Sequence, residues 1–291
     1  LVIGKTGQLA RALERRAKAL GVALQIMSRG EFDLEAPRAG AIVARAPSVV
    51  INAAAYTAVD QAESEPRRAF QVNAYGPAVA AEAAAAAGAA FVQISTDYVF
   101  SGDKSSPYVE TDETGPTGVY GASKLEGELR ALAANPRTVI VRTAWVFDAR
   151  GKNFVRTMLR LANTRSEVGV VADQCGCPTF ADDLAEATLT VAHALAQGRP
   201  SADIYHCAGQ GEATWAGFAE AIFAESARLG GPVASVSPLP TSGYPTLAKR
   251  PANSRLDCTK LWSDHGVRLR HWTESLSQCV SEIAAEGWRV E

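Results

Sequence analysis

Short β-branched runs alternate with alanine-rich helical stretches through the first half of the chain. Leu1-Val2-Ile3 reads as a strand and residues 8–20 as a helix, followed by a second strand over 23–27 and a helix over 37–45 with Pro37 at its start. Ser48-Val49-Val50-Ile51-Asn52 is a third strand, 66–87 a long helix, and Phe91-Val92-Gln93-Ile94-Ser95 a fourth strand. Residues 120–133 are helical and 138–142 form a fifth strand. Continuously apolar strands separated by helices mark a parallel sheet covered on both faces. The predicted fold class is therefore α/β, a doubly wound, Rossmann-like parallel sheet. Right-handed crossovers place the C-terminal ends of its strands on one rim, where ligands bind. After about Val146 the rhythm changes to helices at 154–163, 181–197 and 215–229, separated by Pro- and Gly-rich loops. The proline-rich segment 235–253 cannot be a regular helix. We expect two units, 1–146 and a smaller α/β lobe, mainly substrate-binding, over 147–291, with segments of the latter, 243–256 among them, returning to the first.

Composition narrows the class of partner. In 291 residues, 29 Lys+Arg oppose 31 Asp+Glu, for a net charge of −2, so there is no basic footprint for nucleic acid or an acidic membrane surface. The longest apolar run is five alanines, 83–87, far short of a membrane span. Five cysteines, an odd number with only Cys175 and Cys177 close together, are neither a disulfide framework nor a zinc pattern, and a reduced cytoplasmic enzyme is expected. The chain opens on Leu-Val-Ile-Gly without a signal-peptide pattern or an initiator Met, so the first strand is expected to begin earlier. His193, His206, His265 and His271 have no metal-ligand spacing.

Gly4-Lys5-Thr6-Gly7-Gln8-Leu9-Ala10 lies between the first strand and the first helix. Gly4 and Gly7 permit a tight turn that brings backbone N–H groups to a pyrophosphate at the helix N-terminus, with Thr6, Gln8 and Leu9 around it. Ala10 takes the third position, normally glycine. At the end of the second strand, Ser28-Arg29 stands where a carboxylate would select NADH. A hydroxyl and a guanidinium suit a 2′-phosphate instead, so NADPH is expected as the preferred cofactor, with NADH also possible. Arg29 is otherwise a solvated surface charge. Asp33 and Leu34 are placed to flank the adenine. The small residues Ala53, Ala54 and Ala55, with Tyr56, leave room for a dinucleotide across the strand ends.

Tyr120 and Lys124 are four apart on one helix face. An unperturbed tyrosine, with a pKa near 10, is a poor acid at neutral pH, and a lysine one turn away is expected to lower that value. The same ammonium can hold a nicotinamide ribose. Thr96, at the end of the fourth strand, adds a hydroxyl for a substrate carbonyl, with Ser95 beside the cofactor. Hydroxyl, phenol and ammonium beside a dinucleotide form a constellation for hydride transfer to a ketone.

Together these features resemble the extended short-chain dehydrogenase/reductases, which act largely on nucleotide sugars. Within them the chain is similar to the dTDP-4-dehydrorhamnose reductase family in ordered blocks along nearly its whole length. The blocks are Gly4 to Leu9, Asn52 to Asp60 with Ala62-Glu63, Ser95 to Phe100, Val119-Tyr120-Gly121, Arg142 to Phe147, Asn153-Phe154, Asp173-Gln174 and Arg250 to Leu256. The resemblance implies reduction of the 4-keto group of a dTDP-linked deoxysugar, feeding polysaccharide synthesis. Tyr120 would be the proton donor, Lys124 its partner and Thr96 the carbonyl ligand. Asp97, Tyr98, Trp145 and Asn153 would lie at the sugar, and Arg250 and Arg255 are candidates to pair with the diphosphate, either of them alternatively structural. Some family members are dimers bridged by magnesium through carboxylates. Here the matching first-helix position is Ala12, while Asp182 and Glu282 are available, so the ligand set is incomplete and a monomer or weak homodimer is expected. Two other readings stay open: a reductase or epimerase for another nucleotide sugar, and a non-catalytic regulatory subunit of the methionine adenosyltransferase type.

Overall fold

The computed structural model describes residues 1–199 and 202–290. Its principal sheet contains β1 (Val2–Ile3), β2 (Ile26–Met27), β3 (Val49–Asn52), β4 (Ala90–Thr96), β5 (Thr138–Thr143) and β6 (Asp203–His206). The strand order is β6-β5-β4-β3-β1-β2, with every neighbouring pair parallel. The helices are α1 (Gln8–Ala19), α2 (Gly40–Val43), α3 (Val59–Ser64), α4 (Pro66–Phe70), α5 (Gly76–Ala86), α6 (Val119–Ala134), α7 (Phe154–Ala162), α8 (Ala181–Ala196), α9 (Trp215–Arg228), α10 (Thr259–His265) and α11 (Trp272–Ala285). On one face of the sheet, Leu9 and Leu13 of α1 and Leu184 and Leu195 of α8 pack on Val2, Ile51, Val92 and Val141. On the other, Ala80 and Ala84 of α5 and Ala131 of α6 close on Ile3, Val50 and Phe91. The alanines keep α5 and α6 close to the strands, so large strand side chains such as Phe91 lose all contact with water. Each such burial stabilises the fold by about 1.5–3 kcal/mol.

The second core gathers Phe147, Leu159, Phe180, Phe218 and Leu276 between α7, α9 and α11. Two later segments return to the first unit. The segment from α8 to β6 returns to the principal sheet, where Asp203–His206 pairs with Val139–Arg142 of β5. The late segment also crosses back: Asn253 N donates to Gly102 O at 2.9 Å, and Ala248 N to Asp60 Oδ1 at 3.1 Å.

The long helix expected over 66–87 is interrupted by a π-turn at Gln71–Tyr75. The extra residue in that turn aims Asn73 inward. Its Oδ1 accepts from Tyr56 N at 2.8 Å, while its Nδ2 donates to Tyr56 O at 3.0 Å and to Ser123 Oγ at 3.0 Å. One buried amide thus ties the loop after β3 to α6. Such π-turns concentrate near functional sites because they re-aim a side chain without ending the helix.

Candidate active site

A cleft of about 1010 Å³ runs along the C-terminal rim of the sheet. Its first wall is the turn after β1. Gly4 has φ +111°, and a side chain there would press on Ala54 at 3.3 Å, so only glycine fits comfortably. Gly7 begins α1 without a side-chain cap, and the first-turn N–H groups, which a helix leaves unpaired, belong to cleft residues Gln8 and Leu9 beside Thr6. Ala53, Ala54, Ala55 and Tyr56 form the floor, with Leu34 and Asp33 at the far end.

At that end Ser28 and Arg29 also line the cleft, but neither is free. Ser28 donates its N–H (2.9 Å) and its hydroxyl (2.8 Å) to Glu31 Oε2. Arg29 Nε donates to Asp33 Oδ2 at 3.1 Å and Nη2 to Glu35 Oε1 at 2.7 Å. A 2′-phosphate would therefore have to compete with two carboxylates for Arg29, while Arg68, another cleft residue, already shares Glu35.

The opposite end gathers Thr96, Tyr120 and Lys124. Thr96 ends β4, and its Oγ1 donates to Asp97 Oδ1 at 3.0 Å and accepts from Tyr98 N at 3.2 Å. Tyr120 stands in the first turn of α6. Gly121 lets that turn press on the loop after β4, since a side chain there would meet Tyr98 O at 2.1 Å. The rings of Tyr98 and Tyr120 meet edge to face at 5.4 Å, and Thr96 lines the cleft beside them. Lys124, one turn on and 3% exposed, donates from Nζ to Ile94 O at 2.6 Å. Its two other N–H bonds remain for the cleft.

Burial controls the titration of this rim. It pushes the Tyr120 phenol above its ordinary 10, with the Asp97 charge adding to the rise. It lowers the Lys124 ammonium to about 8, against the opposing pull of Glu128. The expectation that Lys124 lowers Tyr120 is corrected here, because desolvation outweighs any such pull. A phenol that keeps its proton at neutral pH is a proton donor, which suits ketone reduction better than alcohol oxidation. Burial also raises the Asp97 carboxyl to about 6.

Three cleft residues present buried side-chain oxygens without a hydrogen-bond partner: Gln8 Oε1, Asp97 Oδ2 and Thr143 Oγ1. Thr143 is in direct register with Thr96 across β4 and β5. Unpaired polar atoms, a glycine-lined turn and an uncapped helix N-terminus in one elongated cleft fit a dinucleotide with a polar substrate at its reactive end.

Trp145 lines the cleft, and its indole stacks on that of Trp215 with centroids 3.5 Å apart and planes at 10°. Trp215 and Thr143 were missed in the sequence. An aromatic residue at a helix start reads as core, and a terminal strand threonine reads as a cap. Ser95 reaches the cleft wall, but its hydroxyl donates to Glu128 behind the sheet. Arg250 does not line the cleft. It bridges Tyr98 OH, at 3.2 Å, to Asp60 at the cleft edge.

Asn153 and Arg255 are not brought into the cleft. Asn153 caps α7, its Oδ1 accepting from Arg156 N at 3.2 Å and its Nδ2 donating to Asp148 O at 2.7 Å. Arg255 is tied to Glu212 Oε2 (2.8 Å), Asn253 Oδ1 (2.8 Å) and Ser105 O (2.6 Å), which makes it a loop clamp. The residues considered for magnesium do not fit a cation. Arg15 Nη2 donates to Asp182 at 2.5 Å and to Asp148 at 2.9 Å, Arg150 holds Glu282 at 3.1 Å, and Ala12 is buried. Each of these carboxylates already pairs with a guanidinium through one oxygen, and among the described residues no three His, Cys, Asp or Glu side chains gather as a ligand set.

The doubly wound sheet, the glycine turn and the Thr–Tyr–Lys rim are those of an extended short-chain dehydrogenase/reductase. The family model for the RmlD substrate binding domain matches residues 1–285. A dTDP-4-dehydrorhamnose reductase of Sinorhizobium fredii is 47% identical over 98% of both chains. The crystal structure of a Clostridium acetobutylicum dTDP-4-dehydrorhamnose reductase superposes with a TM-score of 0.89 at 39% identity, over 97% of this chain and 98% of that one. A Bacillus anthracis dTDP-4-dehydrorhamnose reductase, solved in complex with NADP, gives 0.88 at 32% identity over the same shares. The chain belongs to the RmlD substrate-binding-domain family.

Proposed function

We propose that this chain is an NADPH-dependent reductase that converts the 4-keto group of dTDP-4-dehydro-L-rhamnose to the alcohol, giving dTDP-L-rhamnose. The observation that carries the reading is the Thr96–Tyr120–Lys124 rim at one end of a dinucleotide-length cleft, in a chain that shares nearly its full length with reductases of that name. Gly4, Thr6, Gly7, Gln8 and Leu9 would hold the pyrophosphate, Ser28 and Arg29 the adenosine end, Ala53 to Tyr56 the floor, and Tyr120 and Lys124 the nicotinamide ribose. When bound, the cofactor supplies the hydride. Tyr120 then delivers its phenolic proton to the oxygen developing at C4, at a site where burial keeps that proton in place until negative charge appears. Thr96 turns its hydroxyl from Asp97 to the same oxygen and fixes the carbonyl's orientation. The Lys124 ammonium stabilises the phenolate left after transfer and favours its reprotonation from solvent. Asp97 Oδ2 accepts a sugar hydroxyl, Tyr98 and Trp145 cover the apolar edge of the ring, and Arg250 acts by holding the Tyr98 hydroxyl and Asp60.

No helix among the described residues is long and apolar enough to cross a membrane. The reading makes this a cytoplasmic enzyme that works as a monomer or weak homodimer. NADPH oxidation followed at 340 nm tests the reading with dTDP-4-dehydro-L-rhamnose beside UDP- and GDP-linked 4-keto-sugars. Turnover at least tenfold faster with the dTDP sugar is expected. Equal rates with all three, or purified protein that retains tightly bound NAD and interconverts sugars without consuming NADPH, would replace it with a broader reductase or an epimerase.

A further inference from the structure

Behind the reactive rim, between α6 and the strands β4, β5 and β6, lies a buried set of charges that the reaction as described leaves unused. Glu128 sits one turn after Lys124 on α6 and is 1% exposed. It accepts Arg142 Nε at 2.9 Å and Nη2 at 2.6 Å, and it also accepts the Ser95 hydroxyl. Arg142 projects from β5, is equally buried, and stands 5.0 Å from the centroid of the Phe100 ring. His206, paired with Arg142 in the β5–β6 register, sets its Nδ1 against Tyr108 O at 3.0 Å. Burial, with Arg142 adding to it, holds His206 down to about 3, so that ring is neutral at every working pH. Lys124 and Glu128 lie four apart on the buried side of α6 and hold adjacent residues of β4, Lys124 the Ile94 carbonyl and Glu128 the Ser95 hydroxyl, and Glu128 opposes the lowering that burial imposes on Lys124.

Glu128 is therefore shared between two cations of different kinds. Arg142 is permanently charged. Lys124 is titratable and desolvated, and desolvation by itself drives a lysine toward the neutral amine. Residues four apart on a helix lie about 6 Å apart at Cβ, close enough for a carboxylate to oppose that loss. As a stability device alone the pair is weak, because burying an ion pair in a protein interior gains about what desolvation takes away.

We propose that Glu128 is a positioning residue that keeps Lys124 in its ammonium form at neutral pH, and that Arg142 sets how much of the Glu128 charge Lys124 receives. The proposal rests on Lys124 being the lysine of a working reductase. It makes two predictions of opposite sign. Glu128→Gln removes the supporting charge, and the alkaline limb of kcat/KM falls by about one to two pH units, from Coulomb's law for unit charges roughly 6–10 Å apart at an effective dielectric near 20. Arg142→Met releases Glu128 to Lys124, and the same limb rises. A purely structural pair would lower melting temperature or kcat in both variants and leave the limb where it is in the wild type.

The experiment measures kcat/KM for NADPH and dTDP-4-dehydro-L-rhamnose from pH 6 to 10 in wild type, E128Q and R142M. Competitive acetylation of Lys124 by acetic anhydride, read by mass spectrometry over the same pH range, reports its ionisation without any turnover. Opposite shifts in the labelling curves support the proposal, even if no variant reduces the sugar, in which case the functional reading fails and this one stands. Labelling curves for folded E128Q and R142M that coincide with wild type overturn it. Should E128Q not fold, R142M decides alone: a rise supports the proposal, and an unmoved curve overturns it.

Discussion

Asp97 is buried at the cleft wall, accepts the Thr96 hydroxyl on one oxygen and leaves the other without a partner. Desolvation raises its carboxyl from 3.8 to about 6. At about 1.4 kcal/mol per pH unit, such a group weakens the fold by about 3 kcal/mol once it is ionised in both folded and unfolded chains. Because the folded value lies above the unfolded one, the stability is fully present below pH 3.8 and is lost as pH rises through about 6. Roughly half has gone by pH 5, leaving about 1.5 kcal/mol to disappear between pH 5 and 8. Asp97→Asn keeps the shape and cannot ionise, so it should escape that loss. For a chain of this size each kcal/mol moves the melting temperature by roughly 2–4 °C. The melting temperature of Asp97→Asn, relative to wild type, should therefore rise by about 3–6 °C between pH 5 and pH 8, measured by scanning fluorimetry without ligands. Losing an ionised acceptor for a sugar hydroxyl should also lower kcat/KM by about tenfold. Parallel melting curves for the two proteins across this range would refute the burial account of Asp97.

At the adenosine end, Arg29→Ala should lower the NADPH-to-NADH preference by only about three- to tenfold, because Asp33 and Glu35 already hold the guanidinium; an unchanged ratio of kcat/KM for the two cofactors would remove Arg29 from the site. Trp215→Ala should raise KM for the dTDP sugar by about tenfold with KM for NADPH unchanged, and should abolish the exciton couplet in circular dichroism expected of the Trp145–Trp215 stack. A couplet that survives the substitution would count against the stack. Exhaustive chelation with EDTA should change neither activity nor sedimentation, because Asp182 and Glu282 are already charge-paired with Arg15 and Arg150; loss of either property on chelation and its restoration by magnesium would contradict that pairing.

Local patterns made the reactive rim legible. Gly4, Gly7, Thr96, Tyr120 and Lys124 each announce themselves through a turn, a strand end or a one-turn helical spacing. Hydroxyls and cations whose partners are distant in sequence were not legible. Arg255 reads as a free cation until Glu212, 43 residues away, is seen to hold it, and Asn153 reads as a sugar ligand until it is seen capping α7. The strand Asp203–His206 hides after a change of rhythm because it is short and carries a polar residue at each end. The π-turn at Gln71–Tyr75 is invisible because one extra residue leaves the surrounding apolar periodicity intact. The direction of the Tyr120 shift was misjudged because a sequence shows that a lysine is near but not how completely both groups leave water.

The central claim is that this rim places a hydride on C4 of the sugar and a Tyr120 proton on its oxygen. Incubation of dTDP-4-dehydro-L-rhamnose with [4-²H]NADPH, followed by proton NMR of the product, tests it most directly. Deuterium at C4 alone of dTDP-L-rhamnose, formed by wild type and at least a hundredfold more slowly by Tyr120→Phe, is the expected result. Product without deuterium at C4, or an equal rate from Tyr120→Phe, would contradict it.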